Sequence, residues 1–341
     1  MKIQSSKRYL IPAVIGLLLV IGLTCYYFFS SVSTLKETHY IYITENDTQD
    51  SVIAKIKPIA SAAGMAGLQT LFRHADYDEQ IKTGRYAIKP GESAVTIYRH
   101  LKNGLQESLK LTIPEARTMD RLASYLSRKL MIDSATIASA LYSQEVCAKY
   151  GYDTCTIPAL FVPNTYEVYW NVSLDGLLER MQKEHDRFWN GERTAKAARQ
   201  NLTPNEVATL ASIIDEETTN RAEKPMVAGM YLNRLKQNMP LQADPTIKFA
   251  LKDFTLRRIY NHMLKINSPY NTYVNEGLPP GPIKIASVRG IDAVLNAVDH
   301  EYLYMCAKED FSGTHNFAKT YAEHLKNAAK YSKALNERGI K

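Results

Sequence analysis

The 341-residue sequence predicts an α+β protein that begins with a single transmembrane helix. Residues 9–29 carry no charged side chain, and this run of about 21 residues is close to the roughly 20 that a helix needs to cross a bilayer. Alternating segments typical of strands occur at residues 39–44, 84–88 and 109–113, with helical spacing between and after them. About 310 residues follow the apolar run, which is enough for two domains with separate cores.

The residues beside the apolar run predict its orientation. The tail at residues 1–8 contains basic residues and no acid, whereas Lys36 and Glu37 after the run form a balanced pair. The positive-inside rule therefore predicts a cytoplasmic tail and an external position for the remaining chain. A cleaved signal peptide is the alternative, but the run is long for such a segment and residues 31–33, Ser-Val-Ser, are a poor cleavage site.

Charge and cysteine usage argue against some classes of protein. The formal net charge is +7, but lysines alternate with acids along the chain, so the excess suits anionic lipid or a cell-wall polymer better than nucleic acid. Cys147 and Cys155 are close in sequence, and both a disulfide and two free thiols are compatible with this spacing. No spacing of His and Cys indicates a metal site.

The segment after the apolar helix predicts a small α+β module at residues 38–108. Its elements, in order, are a strand at 39–44, a helix at 49–57, a strand at 84–88, a turn at 89–92, and a helix at 93–102 that ends at Gly104. The second strand, the Pro-Gly-Glu-Ser turn and the helix resemble the LysM-like module that precedes the catalytic part of several cell-wall enzymes. That resemblance implies a role in carbohydrate binding.

Residues 109–341 predict a larger mixed α+β domain. Its elements, in order, are a strand at 109–113, a helix capped by Thr118 that continues to about residue 129, helical segments at 135–149 and 174–189, and helices at 203–217, 224–236 and 321–337. An aromatic-rich stretch at residues 160–170 is expected to be a loop or a short strand. Its rings are suited either to packing or to stacking on sugars.

The helix at residues 203–217 carries the strongest functional signal. It begins with the capping box Thr-Pro-Asn-Glu at residues 203–206. An apolar stripe with i, i+3, i+4, i+7 spacing follows, formed by Val207, Leu210, Ala211 and Ile214. At about 100° per residue, Glu217 lies roughly 20° from Leu210, whereas Asp215 and Glu216 lie well over 100° away and are expected to face solvent.

Glu217 is therefore expected to point toward the interior or a cleft. Loss of water disfavours the charged form of a carboxylate there, which raises its pKa and lets it hold a proton near neutral pH, as a general acid must. The alternative is that Glu217 lies at the rim of the core or pairs with an arginine such as Arg221 or Arg234.

Four polar stretches after Glu217 are candidate substrate contacts. They are residues 241–246 (LQADPT), 270–273 (YNTY), 277–282 (GLPPGP) and 315–324 (HNFAKTYAEH). Loops rich in Gln, Asn, Asp, Thr, Tyr and His place hydrogen-bond donors and acceptors at fixed positions, as a polyhydroxylated sugar requires. Each stretch by itself is also compatible with ordinary turn formation.

The anchor, the helix and these loops together resemble the MltG-type (YceG-like) endolytic murein transglycosylases, from the anchor to about His324. The family pattern contains A-S-I-[IV]-E-K-E-T, N-R-L, L-Q-x-D-P-T, Y-N-T-Y, G-L-P-P-G-x-I and H-x-F-x-x-T-x-x-E-H. The corresponding stretches are residues 211–218, 233–235, 241–246, 270–273, 277–283 and 315–324. The chain departs from the family at Asp215, Asn164 and residues 158–159.

The resemblance implies that Glu217, the glutamate directly before the threonine, is the catalytic residue, and the helix phase selects the same residue. The predicted substrate-binding residues are Gln242, Asp244, Thr246, Tyr270, Asn271, Thr272, Tyr273, His315, Phe317, Thr320, Glu323 and His324. No metal or cofactor is implied.

The resemblance also implies a reaction, the cleavage of MurNAc–GlcNAc bonds within nascent peptidoglycan strands to leave 1,6-anhydro-MurNAc ends and so limit strand elongation. Glu217 would protonate the bridging oxygen, and the C6 hydroxyl of the muramic acid would attack the anomeric carbon. One carboxylate suffices because the nucleophile is intramolecular. The expected location is the cytoplasmic (inner) membrane, with the catalytic domain on the periplasmic side and peptidoglycan synthases as candidate partners.

Three alternatives remain open from the sequence. A hydrolytic muramidase would use a second carboxylate, for which Asp244 is the candidate. A non-catalytic peptidoglycan-binding scaffold would not need Glu217. A zinc hydrolase would recruit His315, Glu323 and His324, but the sequence has no H-E-x-x-H pair.

Overall fold

The structure is a computed structural model that describes residues 3–74, 77–256 and 258–339. The helices are α1 (Ile3–Phe29), α2 (Gln49–Ile56), α3 (Ala62–His74), α4 (Ala94–Asn103), α5 (Met119–Ser127), α6 (Ser134–Leu141), α7 (Gln144–Lys149), α8 (Leu174–Phe188), α9 (Gly191–Arg199), α10 (Pro204–Glu217), α11 (Lys224–Lys236), α12 (Asp244–Leu251), α13 (Val288–Leu295) and α14 (Tyr321–Glu337). The strands are β1 (His39–Ile43), β2 (Gly84–Ile88), β3 (Leu109–Thr112), β4 (Thr165–Val168), β5 (Tyr304–Ala307) and β6 (His315–Ala318). They pair as β1–β2, β3–β4 and β5–β6, and the mixed α+β class is confirmed.

Internal contacts divide the described chain into two compact units, each with its own apolar core. The first unit contains the described residues up to Leu111 together with Lys129–Met131 and Glu167–Val172. The second unit contains Thr112–Arg128, Ile132–Tyr166 and the described residues from Ser173 onward.

The first unit includes the apolar helix α1. Within the described part of the chain, Leu10–Phe29 is the stretch that is long and apolar enough to cross a membrane, by length and composition. The hydroxyl of Thr24 donates to the carbonyl oxygen of Val20 at 2.8 Å, which satisfies that polar group inside the helix.

An antiparallel pair of strands and helices α2, α3 and α4 make up most of the rest of the first unit. Strands β1 and β2 are antiparallel, with Ile41 opposite Tyr86. Ser93, predicted as the first residue of this helix, is instead the cap of α4, and its side chain accepts from Thr96 N. The helix ends at the predicted Gly104 with φ 69°, a left-handed conformation that glycine adopts without strain.

The core of the second unit lies around α10, α11 and α13. Ile213, Val227 and Val294 from these three helices are fully buried. A side chain at Gly229 of α11 would meet the carbonyl oxygen of Val298 at 2.3 Å, so glycine permits a close approach of the backbones there. This framework supports the end of α10.

Several element boundaries differ from those expected. The helical segment at residues 135–149 divides into α6 and α7 because the Ser143 side chain accepts a hydrogen bond from Val146 N and starts a new helix. Helices α3, α9, α12 and α13 and the β5–β6 hairpin were not predicted. Of the described cysteines, Cys147 and Cys155 are free thiols.

Candidate active site

Helix α10 carries Glu217 as its last residue, and hydrogen bonds hold the helix at its start and at Ser212. The predicted capping box is present, since the Thr203 N–H donates to the Glu206 carboxylate at 2.7 Å and the Thr203 hydroxyl accepts from Glu206 N at 3.3 Å. The hydroxyl of Ser212, which is fully buried, accepts from Ile283 N at 3.0 Å. These contacts hold the helix axis and therefore the direction of Glu217.

A cavity of about 380 Å³ in the second unit has Glu217 in its wall, a volume within the range of small-molecule sites. Its lining comes from α10, α11, the start of α12, the stretch at residues 270–273, the β5–β6 hairpin and α14. The lining residues are Glu217, Met230, Tyr231, Arg234, Leu241, Gln242, Asp244, Tyr273, Tyr304, Met305, Cys306, Ala307, His315, Tyr321 and His324. Glu217, Gln242, Asp244, Tyr273, His315 and His324 are the predicted site residues among them.

The Glu217 side chain is partly buried, and its carboxyl group is held by a hydrogen bond. The hydroxyl of Tyr231 donates to Glu217 Oε1 at 2.8 Å. Burial raises the pKa of Glu217 from 4.5 to about 7, and the negative charge of Asp244 adds to this rise. The Tyr231 hydrogen bond and the positive charges of Lys248 and Arg234 act in the opposite direction but are outweighed. Glu217 therefore holds a proton in part of the molecules at neutral pH.

Arg234 is buried in the cavity wall but does not pair with Glu217. Its guanidinium donates to the carbonyl oxygen of Leu303 at 2.6 Å and to those of residues 240–241 at 3.0 Å. In the part of the chain that the structure describes, neither Arg234 nor Arg221 lies within ion-pairing distance of Glu217. Arg234 instead holds together the backbone segments that form the cavity.

Two further polar side chains in the wall belong to Gln242, just before α12, and Asp244, the first residue of α12. The hydroxyl of Tyr273 donates to Asp244 Oδ1 at 2.6 Å, and burial raises the pKa of Tyr273, so this hydroxyl keeps its proton. The backbone of Gln242 has φ 52°, a left-handed conformation that is uncommon for residues other than glycine. Its N–H donates to Thr272 O at 2.9 Å and its Oε1 accepts from Arg234 at 3.2 Å, so its orientation is fixed.

A buried acid fixes His315 in the same wall. The Glu223 carboxylate accepts from the backbone N–H of His315 at 2.6 Å and from its ring Nδ1 at 2.7 Å. The hydroxyl of Thr218, the residue after Glu217, also donates to Glu223 at 3.2 Å. Glu223 thus connects the end of α10 to strand β6.

Three aromatic rings, those of Tyr304, Tyr321 and His324, form one side of the cavity. The Tyr304 and His324 rings are stacked with centroids 5.5 Å apart, and the centroids of Tyr321 and His324 are 6.0 Å apart. Burial and the nearby charge of Arg234 lower the pKa of His324, so its ring is uncharged at neutral pH. Tyr321 is 59% exposed and offers a ring face to a bound sugar.

Three predicted substrate-binding residues are instead buried in the protein. The side chain of Asn271 donates to the carbonyl oxygens of Leu264 at 3.0 Å and Ile266 at 2.8 Å. The hydroxyls of Thr246 and Thr272 are hydrogen-bonded to each other at 2.9 Å. Because Asn271 and Thr246 have no exposed surface and Thr272 almost none, the expectation that they contact substrate is replaced by a role in holding the loops.

The remaining predicted residues also make contacts within the protein and do not line this cavity. Tyr270 packs on Phe249, with ring centroids 4.7 Å apart, and Phe317 packs against the main core. Thr320 and Glu323 form the capping box of α14. The spacing Thr-x-x-Glu at residues 320–323 is itself a capping-box pattern, so this role was readable from the sequence.

The expectation that Asp215 faces solvent is wrong. Its side chain is 2% exposed and forms an ion pair with Lys224. It also accepts hydrogen bonds from the backbone N–H of Ser287 at 2.7 Å and from the Ser287 hydroxyl at 2.8 Å. Helix α13 covers the face of α10 that carries Asp215, a face that the helical spacing of the sequence predicted to be exposed.

Glu216 is likewise covered rather than solvated. Its carboxylate pairs with Arg117 at 2.6 Å and with Lys284 at 3.4 Å. Burial by itself would raise the pKa of Glu216, but the two cations outweigh that effect and lower it. Glu216 is therefore ionised where its neighbour Glu217 is partly protonated.

Three aromatic residues of the cavity were not predicted. Tyr231 lies on the predicted helix at residues 224–236 and was not expected in the site, although a buried tyrosine hydroxyl requires a partner and that requirement was a usable signal. Tyr304 and Tyr321 belong to elements whose relation to Glu217 depends on the fold of the β5–β6 hairpin, for which the sequence offered no pattern.

The family profile of the YceG-like family matches residues 41–330, which is most of the chain. The chain therefore belongs to the YceG-like family. An endolytic murein transglycosylase of Bacillus subtilis (strain 168) is 36% identical over 168 residues, a match that covers 49% of this chain and 46% of the relative.

Two further comparisons cover more of the chain. An endolytic murein transglycosylase of Streptococcus pneumoniae serotype 2 (strain D39 / NCTC 7466) is 25% identical over 324 residues, covering 85% of this chain and 58% of the relative. The crystal structure of a yceG-like protein from Listeria monocytogenes is similar with a TM-score of 0.55 and 25% identity, over 86% of this chain and 99% of that chain. The chain spans about half the length of the curated relatives it matches.

Proposed function

We propose that this chain is an endolytic peptidoglycan lytic transglycosylase in which Glu217 is the general acid. The observation that carries the proposal is the partly buried Glu217 carboxyl group, held by Tyr231 in a cavity wall with a pKa of about 7. Such a group is protonated in a useful fraction at neutral pH and can still release its proton. The activity named for the Bacillus subtilis and Streptococcus pneumoniae relatives supports the same class of reaction.

The proposed reaction cleaves the bond between N-acetylmuramic acid and N-acetylglucosamine within a glycan strand. Glu217 donates its proton to the bridging oxygen as the bond from that oxygen to the anomeric carbon breaks. The C6 hydroxyl of the same muramic acid then bonds to the anomeric carbon, and its proton passes to the Glu217 carboxylate. The product has a 1,6-anhydro ring, Glu217 regains its starting state and no water is consumed.

The neighbours of Glu217 support each stage of this cycle. The Tyr231 hydroxyl stabilises the carboxylate that forms after the first proton transfer, and hydrogen bonds to charged groups contribute about 1.5–3 kcal/mol. The negative charge of Asp244 suits the positive charge that develops at the anomeric carbon. Gln242, fixed in its orientation, and the exposed ring of Tyr321 are suited to hold the sugars.

A hydrolytic muramidase is the second candidate, because Asp244 lies in the same cavity as Glu217 and offers a second carboxylate. Mass spectrometry of the products from purified glycan strands separates the two reactions. Anhydro ends support the transglycosylase, whereas reducing ends, heavier by one water, would identify a hydrolase.

Substitution of Glu217 by Gln tests the assigned acid, with Glu216→Gln as the matched control on the same helix. Glu217→Gln removes the proton donor, and general acid–base help is worth about 10²–10⁴-fold, so the cleavage rate should fall by at least that factor. Glu216→Gln should retain most activity per folded molecule, and its melting temperature reports separately on the loss of the ion pairs with Arg117 and Lys284. The opposite pattern would show that the acid is misassigned, and retained in vivo function of Glu217→Gln would indicate a non-catalytic scaffold.

We also propose a single-pass anchor with a cytoplasmic tail and a wall-binding, LysM-like module at residues 38–108, ahead of a catalytic domain at residues 109–341. The apolar stretch Leu10–Phe29 and the basic residues before it support the anchor and its orientation. Tethering would keep the enzyme near nascent strands and near the peptidoglycan synthases. Sequencing of the mature amino terminus tests this, and a terminus beyond Ser33 would contradict it.

A further inference from the structure

A second cavity lies beside α10, on a different side of the helix from the cavity that holds Glu217. Its volume is about 670 Å³, and its walls include residues from α10, from the start of α13 and from the segment before α5. We call it the basic cleft, after its charged lining. Its basic residues are Arg117, Arg221, Lys224, Lys284 and Arg289, and its acidic residues are Glu115, Asp215 and Glu216.

Each acid of the basic cleft is already paired. Asp215 pairs with Lys224, and Glu216 pairs with Arg117 at 2.6 Å. Glu115 pairs with Lys284 at 3.1 Å. These pairs neutralise three of the five basic side chains, so the excess positive charge of the basic cleft resides on the other two.

The two remaining cations are Arg221 and Arg289. Among the residues that the structure describes, neither has an acidic side chain within ion-pairing distance, and both are exposed. Arg221 follows the end of α10, and Arg289 lies in the first turn of α13. The hydrogen bonds of Asp215 to Ser287 tie these two elements together, so both arginines project from a fixed frame.

This arrangement is suited to a ligand that carries carboxylate groups. The planar guanidinium of arginine binds a carboxylate through two parallel hydrogen bonds, which a lysine cannot do. The cavity volume is within the range that encloses a small ligand or a short peptide. An uncharged sugar would leave both arginines without an anionic partner.

The basic cleft and the proposed catalytic cavity lie on different sides of the end of α10. Glu216 lines the basic cleft and Glu217 lines the catalytic cavity, so the two are separated by about the width of a helix, roughly 10–12 Å. In a peptidoglycan strand, the substituent of muramic acid is a peptide stem that ends in a carboxylate and leaves the sugar beside the scissile bond. An extended peptide spans about 3.3–3.6 Å per residue, so a stem of three or four residues on a strand bound at Glu217 is long enough to pass around the end of α10.

We propose that the basic cleft binds a carboxylate of the peptide stem through Arg221 and Arg289 and so makes stem-bearing strands the preferred substrate. This inference rests on the proposed function, since it assumes that the strand is cleaved at Glu217. The arginines act in substrate binding and not in the chemical step.

The test compares two substrates, strands with intact stems and strands from which an amidase has removed the stems. The full-length protein and the double variant Arg221→Ala/Arg289→Ala are assayed on both, with Arg199→Ala, an exposed arginine on α9, as the control. We expect the double variant to lose at least tenfold in kcat/KM on stem-bearing strands, mainly through KM, and less than twofold on strands without stems. Arg199→Ala should change neither value, and the melting temperature of each variant reports on folding.

The outcomes separate this inference from the proposed function. Equal loss on both substrates, or no loss on either, would overturn the stem-binding role while leaving the cleavage reaction in place. Loss confined to strands that retain a lipid pyrophosphate would also overturn it, because the anion would then be the pyrophosphate. Wild-type protein that cleaves neither substrate would contradict the proposed function itself. Stem carboxylates converted to amides should reproduce the effect of the double variant.

Discussion

The partial burial of the Glu217 carboxyl group has a consequence for stability that can be measured without substrate. Its pKa is about 7 in the folded protein and 4.5 when unperturbed, because burial disfavours the charged form. Between these two values the folded state holds a proton that the unfolded state has released. The contribution of Glu217 to the free energy of unfolding therefore decreases as pH rises from 4.5 to 7.

The size of this loss follows from the pKa difference. A difference between 4.5 and about 7 corresponds to about 3 kcal/mol of unfolding free energy at pH 8, at 1.36 kcal/mol for each tenfold change in the proton affinity. Glu217→Gln keeps the shape of the side chain and removes the charge. The variant should therefore be more stable than the wild type at pH 8 by up to about 3 kcal/mol, and this advantage should disappear near pH 4.

Urea unfolding of the full-length protein and the variant, in the same detergent at pH 4 and pH 8, measures the difference directly. Titrating groups that do not interact with Glu217 contribute equally to both proteins and cancel. A variant that shows the same difference from the wild type at both pH values would refute the burial of Glu217 and with it the assigned general acid.

Three further predictions concern the same unit. Tyr231→Phe removes the hydrogen bond that favours the charged form of Glu217, so the basic limb of the pH–rate profile should shift to higher pH by about one unit. The control Tyr166→Phe removes a buried hydroxyl that is bonded to a backbone carbonyl elsewhere, and it should leave the basic limb at the same pH. Gly290→Ala should lower the melting temperature because its Cβ would lie 2.6 Å from a carboxylate oxygen, whereas Gly191→Ala meets nothing within 4 Å and should not. Asn271→Ala should cost about 2 kcal/mol in a urea titration, because two partly buried carbonyl groups lose their donor, and an unchanged midpoint would contradict that role.

Local patterns were sufficient for the parts of the fold that depend on neighbouring residues in the chain. The capping boxes at residues 203–206 and 320–323 and the left-handed end at Gly104 depend on side chains within one turn, so the sequence alone determined where α10, α14 and α4 begin or end. Helices α3 and α9 were not predicted because their local patterns are weak. Helix α3 contains two glycines, which weaken its helical pattern, and α9 has a single buried residue and hence no apolar stripe.

The candidate site divides in the same way. The sequence by itself selected Glu217, because the phase of one helix relates it to a single apolar stripe. Only the tertiary structure decided the surroundings of Asp215 and Glu216, since the residues that cover them are about 70 to 100 positions away in sequence, at Ser287 and Arg117. The tertiary structure also decided that Asn271 is buried and that the Tyr231 hydroxyl donates a hydrogen bond to Glu217. Helical phase is a property of one element, whereas burial and hydrogen-bond partners depend on which elements pack together, and no local pattern encodes that.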